Sequence, residues 1–268
     1  MTESRAAPIP KALYAPALLA LALLVAPIIG LISRVHWDTL GADLFSSASL
    51  TALGLSLVTA ACATVACILF GTPLAILIAR ASRRSASILR ALVLIPLVLP
   101  PMVGGLALLS LLGRSGLIGK PIFEITGHSL PYTTAAVIVA QAFVAMPFYV
   151  VTVEGALRTA GDGYEHIAAT LGAGRWRVLG RITLPLVLPG LTAGAALAFA
   201  RALGEFGATA LFAGNAPGVT RTMPLAIYTA FNGVGVNQDS AVALSLLLLV
   251  STAVIVLGLR SWRRAGIV

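Results

Sequence analysis

Apolar residues lie along this chain in six long runs, which shorter polar segments separate. A transmembrane helix needs about 17–25 predominantly apolar residues to cross the hydrocarbon core of a bilayer, and each run is at least that long. The pattern therefore predicts an all-α polytopic membrane protein with about six transmembrane helices. The predicted spans cover residues 12–33, 50–79, 88–113, 132–157, 186–211 and 241–259.

The composition supports a location in the membrane. Hydrophobic residues make up 59% of the chain and charged residues only 10%, whereas a soluble domain carries about 25% charged residues. The formal net charge of +9 comes mainly from basic residues between the apolar runs, so it indicates membrane topology rather than nucleic-acid binding. Cys62 and Cys67 lie within an apolar run and are expected to be packing residues, not a disulfide or a metal site.

The basic residues are distributed unevenly between the two sides of the membrane. Residues 80–90, residues 158–181 and both termini fall on one side and carry most of the Lys and Arg residues. The opposite side holds only Arg34, Arg114, Lys120 and Arg221. Because basic loops stay in the cytoplasm, we expect both termini and residues 158–181 to be cytoplasmic. The predicted organisation is a tail, a transmembrane permease domain and a second tail, at residues 1–11, 12–259 and 260–268.

The third predicted span contains features that prevent a regular helix. Two adjacent prolines, Pro100 and Pro101, lack the backbone N–H donors of a helix, and Gly104 and Gly105 follow them closely. An irregular backbone is tolerated at membrane depth only where protein buries it or where it lines a water-filled cavity. We therefore expect these four residues to lie along a pathway through the membrane or at its gate.

The fifth predicted span contains two charged residues, Arg201 and Glu205. They are four residues apart, so on a helix they share one face and can form an ion pair. A charge at membrane depth costs at least about 2.5–3.5 kcal/mol on insertion scales and usually faces a bundle interior or a cavity. Two interpretations stay open: the pair lines or gates the pathway, or it holds the fifth span against its neighbours.

Residues 158–181 form the most polar and most basic segment in the second half of the chain. The pattern predicts a short helix over residues 164–171 with Asp162 as its N-cap, ended by the glycines of residues 172–174. A second helical turn over residues 175–179 follows. Such a segment fits a protruding element that a soluble partner grips, or a cytoplasmic loop whose arginines only determine topology.

The spacing in this segment resembles the EAA motif of bacterial ABC importer permeases, which reads Glu-Ala-Ala, three residues, Gly, nine residues and Ile-x-Leu-Pro. His166-Ile167-Ala168 stands in place of Glu-Ala-Ala, and Glu165 comes one position earlier. This departure leaves open which residue makes an acidic contact. In that family the loop forms coupling helices, which sit in a groove on the ATP-hydrolysing subunit. The resemblance implies a coupling role for Glu165, Ala168, Gly172, Arg175, Trp176, Ile182, Leu184 and Pro185.

Further stretches resemble the molybdate branch of the molybdate/sulfate importer permeases. They lie at residues 94–105, 198–209, 213–215 and 219–228. The resemblance implies a type I ABC importer permease-like fold, a homodimer, two cytoplasmic ATPase subunits and an extracytoplasmic molybdate-binding protein, in a bacterial plasma membrane. It also implies that molybdate, or tungstate, is the cargo. ATP and Mg²⁺ would bind to the ATPase subunits, and no cofactor would bind directly to this chain.

Three alternatives differ from this expectation. A sulfate or thiosulfate permease would have the same architecture. A secondary carrier or channel would require coupling ions or inverted repeats, and the sequence shows no clear repeat. An enzyme would require a catalytic constellation, but the chain contains no phosphate-binding P-loop sequence, so we expect ATP hydrolysis to occur on a separate subunit.

Overall fold

The computed structural model describes residues 10–233 and 238–265, and every regular element within those ranges is helical. The first helices, after a 3-10 turn at Lys11–Leu13, are α1 (Tyr14–Ser33), α2 (Trp37–Leu44), α3 (Ser47–Arg80), α4 (Arg83–Val98), α5 (Pro101–Leu112), α6 (Gly119–Thr126) and α7 (Thr134–Ala160). The later ones are α8 (Gly163–Thr170), α9 (Arg175–Val178), α10 (Leu184–Leu186), α11 (Leu188–Leu203), α12 (Gly207–Phe212), α13 (Met223–Asn232) and α14 (Gln238–Ala265). A π-helical turn at Leu179–Thr183 joins α9 to α10.

Long apolar helices account for the predicted membrane spans. Within the described residues, three segments are each long and apolar enough to cross a membrane: Lys11–Ser33, Ser47–Arg80 and Thr134–Ala160. Two bent pairs also qualify when each is taken as one span, with α4 and α5 meeting at 110° and Arg175–Leu186 meeting α11 at 68°. α14 occupies the position of the sixth predicted span. The all-α polytopic fold is therefore confirmed.

The predicted break in the third span is present between α4 and α5. Leu99 and Pro100 have extended backbone conformations, with ψ angles of 133° and 134°. Pro101 begins α5, where a missing N–H donor leaves no hydrogen bond unmade. Val103 and Gly104 donate their N–H groups to the Pro100 carbonyl. The third span is therefore two helices that meet at a steep angle.

The fifth predicted span, residues 186–211, is also discontinuous. α11 ends at Leu203, and α12 begins only at Gly207. The prediction of one continuous helix is wrong there, because the side chain of Glu205 caps the second helix, as described below. The predicted span is thus one long helix followed by a short one.

Small side chains let α3, α7 and α11 approach one another closely, as in other membrane helix bundles. Tyr149 of α7 is the large exception and is fully buried. Cβ atoms added at Gly71 of α3 and Gly194 of α11 would lie 2.7 and 3.2 Å from its ring, so these glycines make room for the tyrosine. Cys67 belongs to this core, whereas Cys62 is exposed, as expected of helix residues five positions apart.

Two predicted loops contain helices. α6 lies within residues 114–131, and α13 lies within residues 213–239. α13 packs against α3 and α14 and buries Met223 and Leu225. The Met223 N–H also donates to the Ser56 hydroxyl at 2.7 Å. The prediction of loops was wrong because such short helices depend on tertiary packing more than on their own composition.

The predicted terminal tails lie partly outside the described residues. Residues 1–9 and 266–268 are not among those described, so the basic residue Arg5 and most of the first tail fall outside. α14 continues to Ala265, beyond the predicted end of the last span at residue 259.

Candidate functional site

The polar hairpin (residues 161–187) consists of α8, a tight turn and the segment from α9 to α10. α8 ends in a Schellman motif, in which the Ala173 N–H donates to the Ala168 carbonyl and the Gly172 N–H to the Ala169 carbonyl, both at 3.0 Å. Gly172 has a φ of +82°, and a Cβ there would meet no atom within 4 Å. Glycine is therefore needed for its backbone conformation and not for space.

The start of α8 differs from the prediction in one respect. Asp162 occupies the N-cap position as predicted, but its side chain makes no capping hydrogen bond. Its Oδ2 atom lies instead 3.1 Å from Nε2 of His166. Both side chains are largely exposed, so this pair belongs to the polar surface of the hairpin.

The hairpin also exposes large apolar side chains. Trp176 and Leu171 are 85% and 83% exposed. Each side chain would bury a large apolar area if it packed against another surface. Tyr164 and Ile167 are exposed as well. Three exposed basic residues lie in the same segment: Arg175, Arg177 and Arg181. Exposed apolar groups with a polar surround are typical of protein interaction surfaces.

The second half of the hairpin contains the π-helical turn. The Leu184 N–H donates to the Leu179 carbonyl, five residues earlier, and the next residue, Pro185, has no N–H to offer. Ile182 and Leu184 are half-buried, Pro185 is exposed, and Thr183 is almost fully buried. π-helical turns are rare and frequently occur at functional sites. The predicted coupling residues of this half therefore include both inward-facing and outward-facing side chains.

Glu165 points toward the rest of its own chain. Nη2 of Arg80, the last residue of α3, lies 2.9 Å from both carboxylate oxygens of Glu165. The hydroxyl of Thr183 donates to Oε1 of Glu165 at 2.6 Å. Sequence reasoning missed these contacts, because Arg80 is 85 residues away and was interpreted only as a topology signal. His166, which stands at the first acidic position of the motif, is exposed instead.

A second carboxylate lies where α7 leads into the hairpin. Glu154 has a side chain only 4% exposed, and it binds Nη2 of Arg90 at 2.5 Å and Nε of Arg158 at 2.7 Å. The pair with Arg90 joins α4 to α7, and the pair with Arg158 lies within α7. The spacing of Glu154 and Arg158, one helical turn apart, could have indicated one pair, but nothing in the sequence connects Arg90 to either residue.

Two of the residues predicted for the pathway, Pro101 and Gly105, lie at the contact between α5 and α12. A Cβ added at Gly105 would lie 2.8 Å from the Ala208 carbonyl oxygen, and one at Gly207 would lie 2.6 Å from Pro101. Gly104 is buried against Phe143 of α7, whereas Pro100 and Pro101 are exposed. Gly105 and Gly207 therefore permit close packing of α5 against α12, and Pro100 and Pro101 lie at the exposed surface of the bend.

Arg201 and Glu205 form the predicted ion pair. Nη2 of Arg201 lies 2.8 Å from Oε2 of Glu205, and the two side chains are 27% and 1% exposed. Oε1 of Glu205 also accepts a hydrogen bond from the Ala208 N–H at 2.8 Å. Glu205 therefore neutralises a partly buried arginine and caps α12 at the same time. This geometry favours the structural interpretation of the pair.

A cavity of about 850 Å³ lies between α3, α7, α11 and the hairpin. Its lining is mostly apolar and extends from Tyr149 in the core to Trp176 and Arg80 at the hairpin. The Thr72 hydroxyl and the Tyr149 hydroxyl form a hydrogen bond of 2.8 Å within it. The hairpin thus forms one wall of an open space among the membrane helices.

Sequence comparison identifies related proteins over most of the chain. The family described as binding-protein-dependent transport system inner membrane component matches residues 71–264. The molybdenum transport system permease protein ModB of Mycobacterium tuberculosis (strain H37Rv) is 50% identical over 250 residues, which are 93% of each chain. The ModB protein of Escherichia coli (strain K12) is 40% identical over 193 residues, which are 72% of this chain and 83% of that protein.

Two solved structures share the fold. A chain of a bacterial alginate ABC transporter, in complex with an alginate pentasaccharide-bound periplasmic protein, aligns with a TM-score of 0.71 at 19% identity and covers 95% of this chain and 93% of that one. A chain of the MetNI methionine ABC transporter, in an inward-facing conformation, aligns with a TM-score of 0.60 at 19% identity and covers 82% and 99%. At such identities the likeness concerns the fold alone.

Proposed function

The chain belongs to the inner membrane components of binding-protein-dependent transport systems, and we propose that it is the permease subunit of an ATP-driven importer that carries molybdate into the cytoplasm. One observation supports molybdate as the cargo: the chain is 50% identical, over 93% of both chains, to a protein named for molybdenum transport. The fold, which is that of a type I ABC importer permease, agrees with this role. Sulfate and thiosulfate are the alternative cargoes, and tungstate is a further oxyanion to test.

The surface of the polar hairpin supports the proposal that a partner protein supplies the energy for transport. It combines exposed Trp176 and Leu171 with exposed arginines, a combination suited to a groove on a soluble protein. The positive-inside rule predicts that this hairpin lies in the cytoplasm, where ATP is available. We therefore assign ATP and Mg²⁺ to two cytoplasmic ATPase subunits, which grip the hairpins of a permease homodimer.

The lining of the cavity supports the proposal that this chain provides a passage for the anion and does not bind it tightly. Among the described residues that line it, Arg80 is the only one with a charge, and Glu165 already pairs with that arginine. A dianion would be weakly held in such an environment, because burying a charge without a partner is costly. Selectivity would then depend on an extracytoplasmic binding protein, and this chain would provide the passage.

Uptake by a reconstituted importer tests the proposal. Proteoliposomes containing this chain and its ATPase, with the binding protein and ATP on the appropriate sides, should accumulate labelled molybdate. Excess tungstate should compete, and excess sulfate should compete much less. Equal competition by sulfate would reassign the cargo, and uptake without the ATPase would overturn the ATP-driven mechanism.

The docking surface has a test of its own. Replacing Trp176 by alanine should weaken retention of the ATPase on the purified permease at least about tenfold, because buried tryptophans dominate many interfaces. Trp37, which is also highly exposed but is predicted on the opposite side of the membrane, provides the matched control. Full ATPase retention by Trp176→Ala would count against docking at this face.

A further inference from the structure

We propose that Glu165 is a positioning residue that fastens the polar hairpin to the membrane helix α3, rather than a contact to the ATPase. This inference rests on the proposed function, because it concerns how movement of a docked hairpin reaches the membrane. It also resolves the open question of the acidic residue in the motif. Glu165 is displaced by one position in sequence, and in the structure it faces inward.

Both oxygens of the Glu165 carboxylate are engaged within the chain. Arg80 approaches both of them at 2.9 Å, and the Thr183 hydroxyl donates to one of them at 2.6 Å. Hydrogen bonds to an ionised carboxylate are shorter and stronger than those between neutral groups. The carboxylate therefore joins three elements: α8, the end of α3 and the π-helical turn.

Burial shows which way this carboxylate faces. The Glu165 side chain is 22% exposed, and its partner Thr183 is almost fully buried. His166 on the same short helix and Asp162 at its N-cap are largely exposed. An ATPase approaching the hairpin from outside would therefore meet Asp162, His166 and the apolar residues before it could reach Glu165.

The position of Arg80 gives this contact a mechanical role. Arg80 is the last residue of α3, and the preceding two turns of α3 line the 850 Å³ cavity with Thr72, Pro73 and Leu77. α3 is remote from the hairpin in sequence, so no short stretch of backbone transmits a displacement between them. Within the part of the chain that the structure describes, the side-chain hydrogen bonds between α3 and α8 are those of Arg80 and Glu165.

The contact is also accessible to water. Arg80 is half exposed, and a second, polar cavity of about 590 Å³ has Arg80, Glu165 and Thr183 in its wall. Exposed ion pairs contribute little to the stability of a fold. Loss of the contact is therefore expected to alter how far α3 follows the hairpin, and not whether the chain folds.

The first experiment separates coupling from docking. In the reconstituted complex, Glu165→Gln should retain the ATPase within about twofold of the wild type. The molybdate imported per ATP hydrolysed should fall at least about fivefold, the lower end of usual coupling strengths. Glu124→Gln makes the same substitution in α6, which is predicted on the opposite side of the membrane, and should change neither quantity. A loss of ATPase retention in Glu165→Gln, with an unchanged ratio, would overturn the inference.

A charge exchange provides the second experiment. Arg80→Glu and Glu165→Arg should each lower the ratio of molybdate to ATP, and the double variant should recover at least about half of the wild-type value. The Thr183 hydroxyl can accept a hydrogen bond from an arginine at position 165 as readily as it donates to a glutamate. Failure of the double variant to recover would contradict the proposed contact.

Two milder variants keep the test decisive if the charge variants do not assemble. Arg80→Lys keeps the charge but cannot reproduce the guanidinium geometry, and Thr183→Val removes one hydroxyl from a buried position. Each should lower the ratio by about twofold, and a wild-type ratio in both would overturn the inference. The Trp176→Ala result tests docking separately, so a failure of the proposed function can be distinguished from a failure of this inference.

Discussion

Two glutamates, Glu165 in the polar hairpin and Glu205 between two membrane helices, have similar partners and opposite consequences. Each binds an arginine and one further donor. The partners of Glu205 lie within four residues, whereas those of Glu165 lie 85 and 18 residues away. Glu205 therefore stabilises local structure, and Glu165 joins elements that are distant along the chain.

The same contrast applies to the glycines of the two regions. At the contact between α5 and α12, Gly105 and Gly207 have no room for a Cβ. In the hairpin, Gly172 has ample room but a φ of +82°. Glycine is thus required by close packing at the membrane positions and by backbone conformation in the hairpin. Four single substitutions, taken in order of expected effect, and one exchange of charges, given with the first of them, can break or sharpen this comparison.

Glu205→Ala should have the largest effect on stability. It leaves the partly buried Arg201 unpaired and removes the cap of α12, which together should cost about 3 kcal/mol. Thermal unfolding of the detergent-purified protein should show a decrease of roughly 6–12 °C, because about 1 kcal/mol shifts Tm by about 2–4 °C in a chain of similar size. The exposed pair of Lys120 and Glu124, with the same spacing, provides the control, and Glu124→Ala should leave Tm nearly unchanged.

An exchange of the two charges sharpens the same point. The double variant Arg201→Glu, Glu205→Arg restores an ion pair, but an arginine cannot accept the hydrogen bond of the Ala208 N–H. It should therefore remain less stable than the wild type by about 1 kcal/mol, as for a lost helix cap. Full stability with lost uptake would indicate that the pair acts in the pathway and that its cap is unimportant.

Gly105→Ala should cost about 1–3 kcal/mol, the usual range for overpacking. The new methyl group would lie 2.8 Å from the backbone oxygen of Ala208, so α5 and α12 would have to separate. Gly54→Ala in α3 adds the same atom where no neighbour lies within 4 Å and should be neutral or stabilising. Equal unfolding temperatures for the two variants would show that the contact between α5 and α12 is not tight.

Gly172→Ala should cost roughly 1–2 kcal/mol, because an L-residue resists the left-handed conformation. The strain falls on the Schellman turn, so the expected result is a loosened hairpin, with lower molybdate import per ATP and normal insertion in the membrane. Gly174 has a φ of −69°, and Gly174→Ala is the control. Normal coupling in Gly172→Ala would remove the conformational argument for this glycine.

Asp162→Ala should have the smallest effect, less than about 0.5 kcal/mol. A capping aspartate would cost about 0.5–2 kcal/mol when replaced by alanine, but this side chain makes no capping bond. Hydrogen exchange of the α8 amides compares the two cases directly. A marked loss of protection in the first turn would show that Asp162 caps α8 in solution.

Many local features were predictable because each depends on residues close together in sequence. The break at Pro100 and Pro101, the pairing of Arg201 with Glu205, and the end of α8 at Gly172 are of this kind. The predictions that were wrong, a loop where α13 lies and one helix across residues 186–211, required knowledge of what packs against each segment. The predicted coupling and pathway roles of individual residues stay predictions.

The sequence by itself determined that the chain is helical and membrane-embedded, that its third span breaks at Pro100 and Pro101, and which segment forms a polar hairpin. These follow from apolar length, proline and glycine chemistry, and the cost of placing charge in lipid. Only the tertiary structure decided that Arg80 meets Glu165, that Arg90 meets Glu154, and that Gly105 meets Ala208. Each of these contacts joins residues far apart in the chain, and their pairing depends on how whole helices pack, which no local pattern of residues encodes.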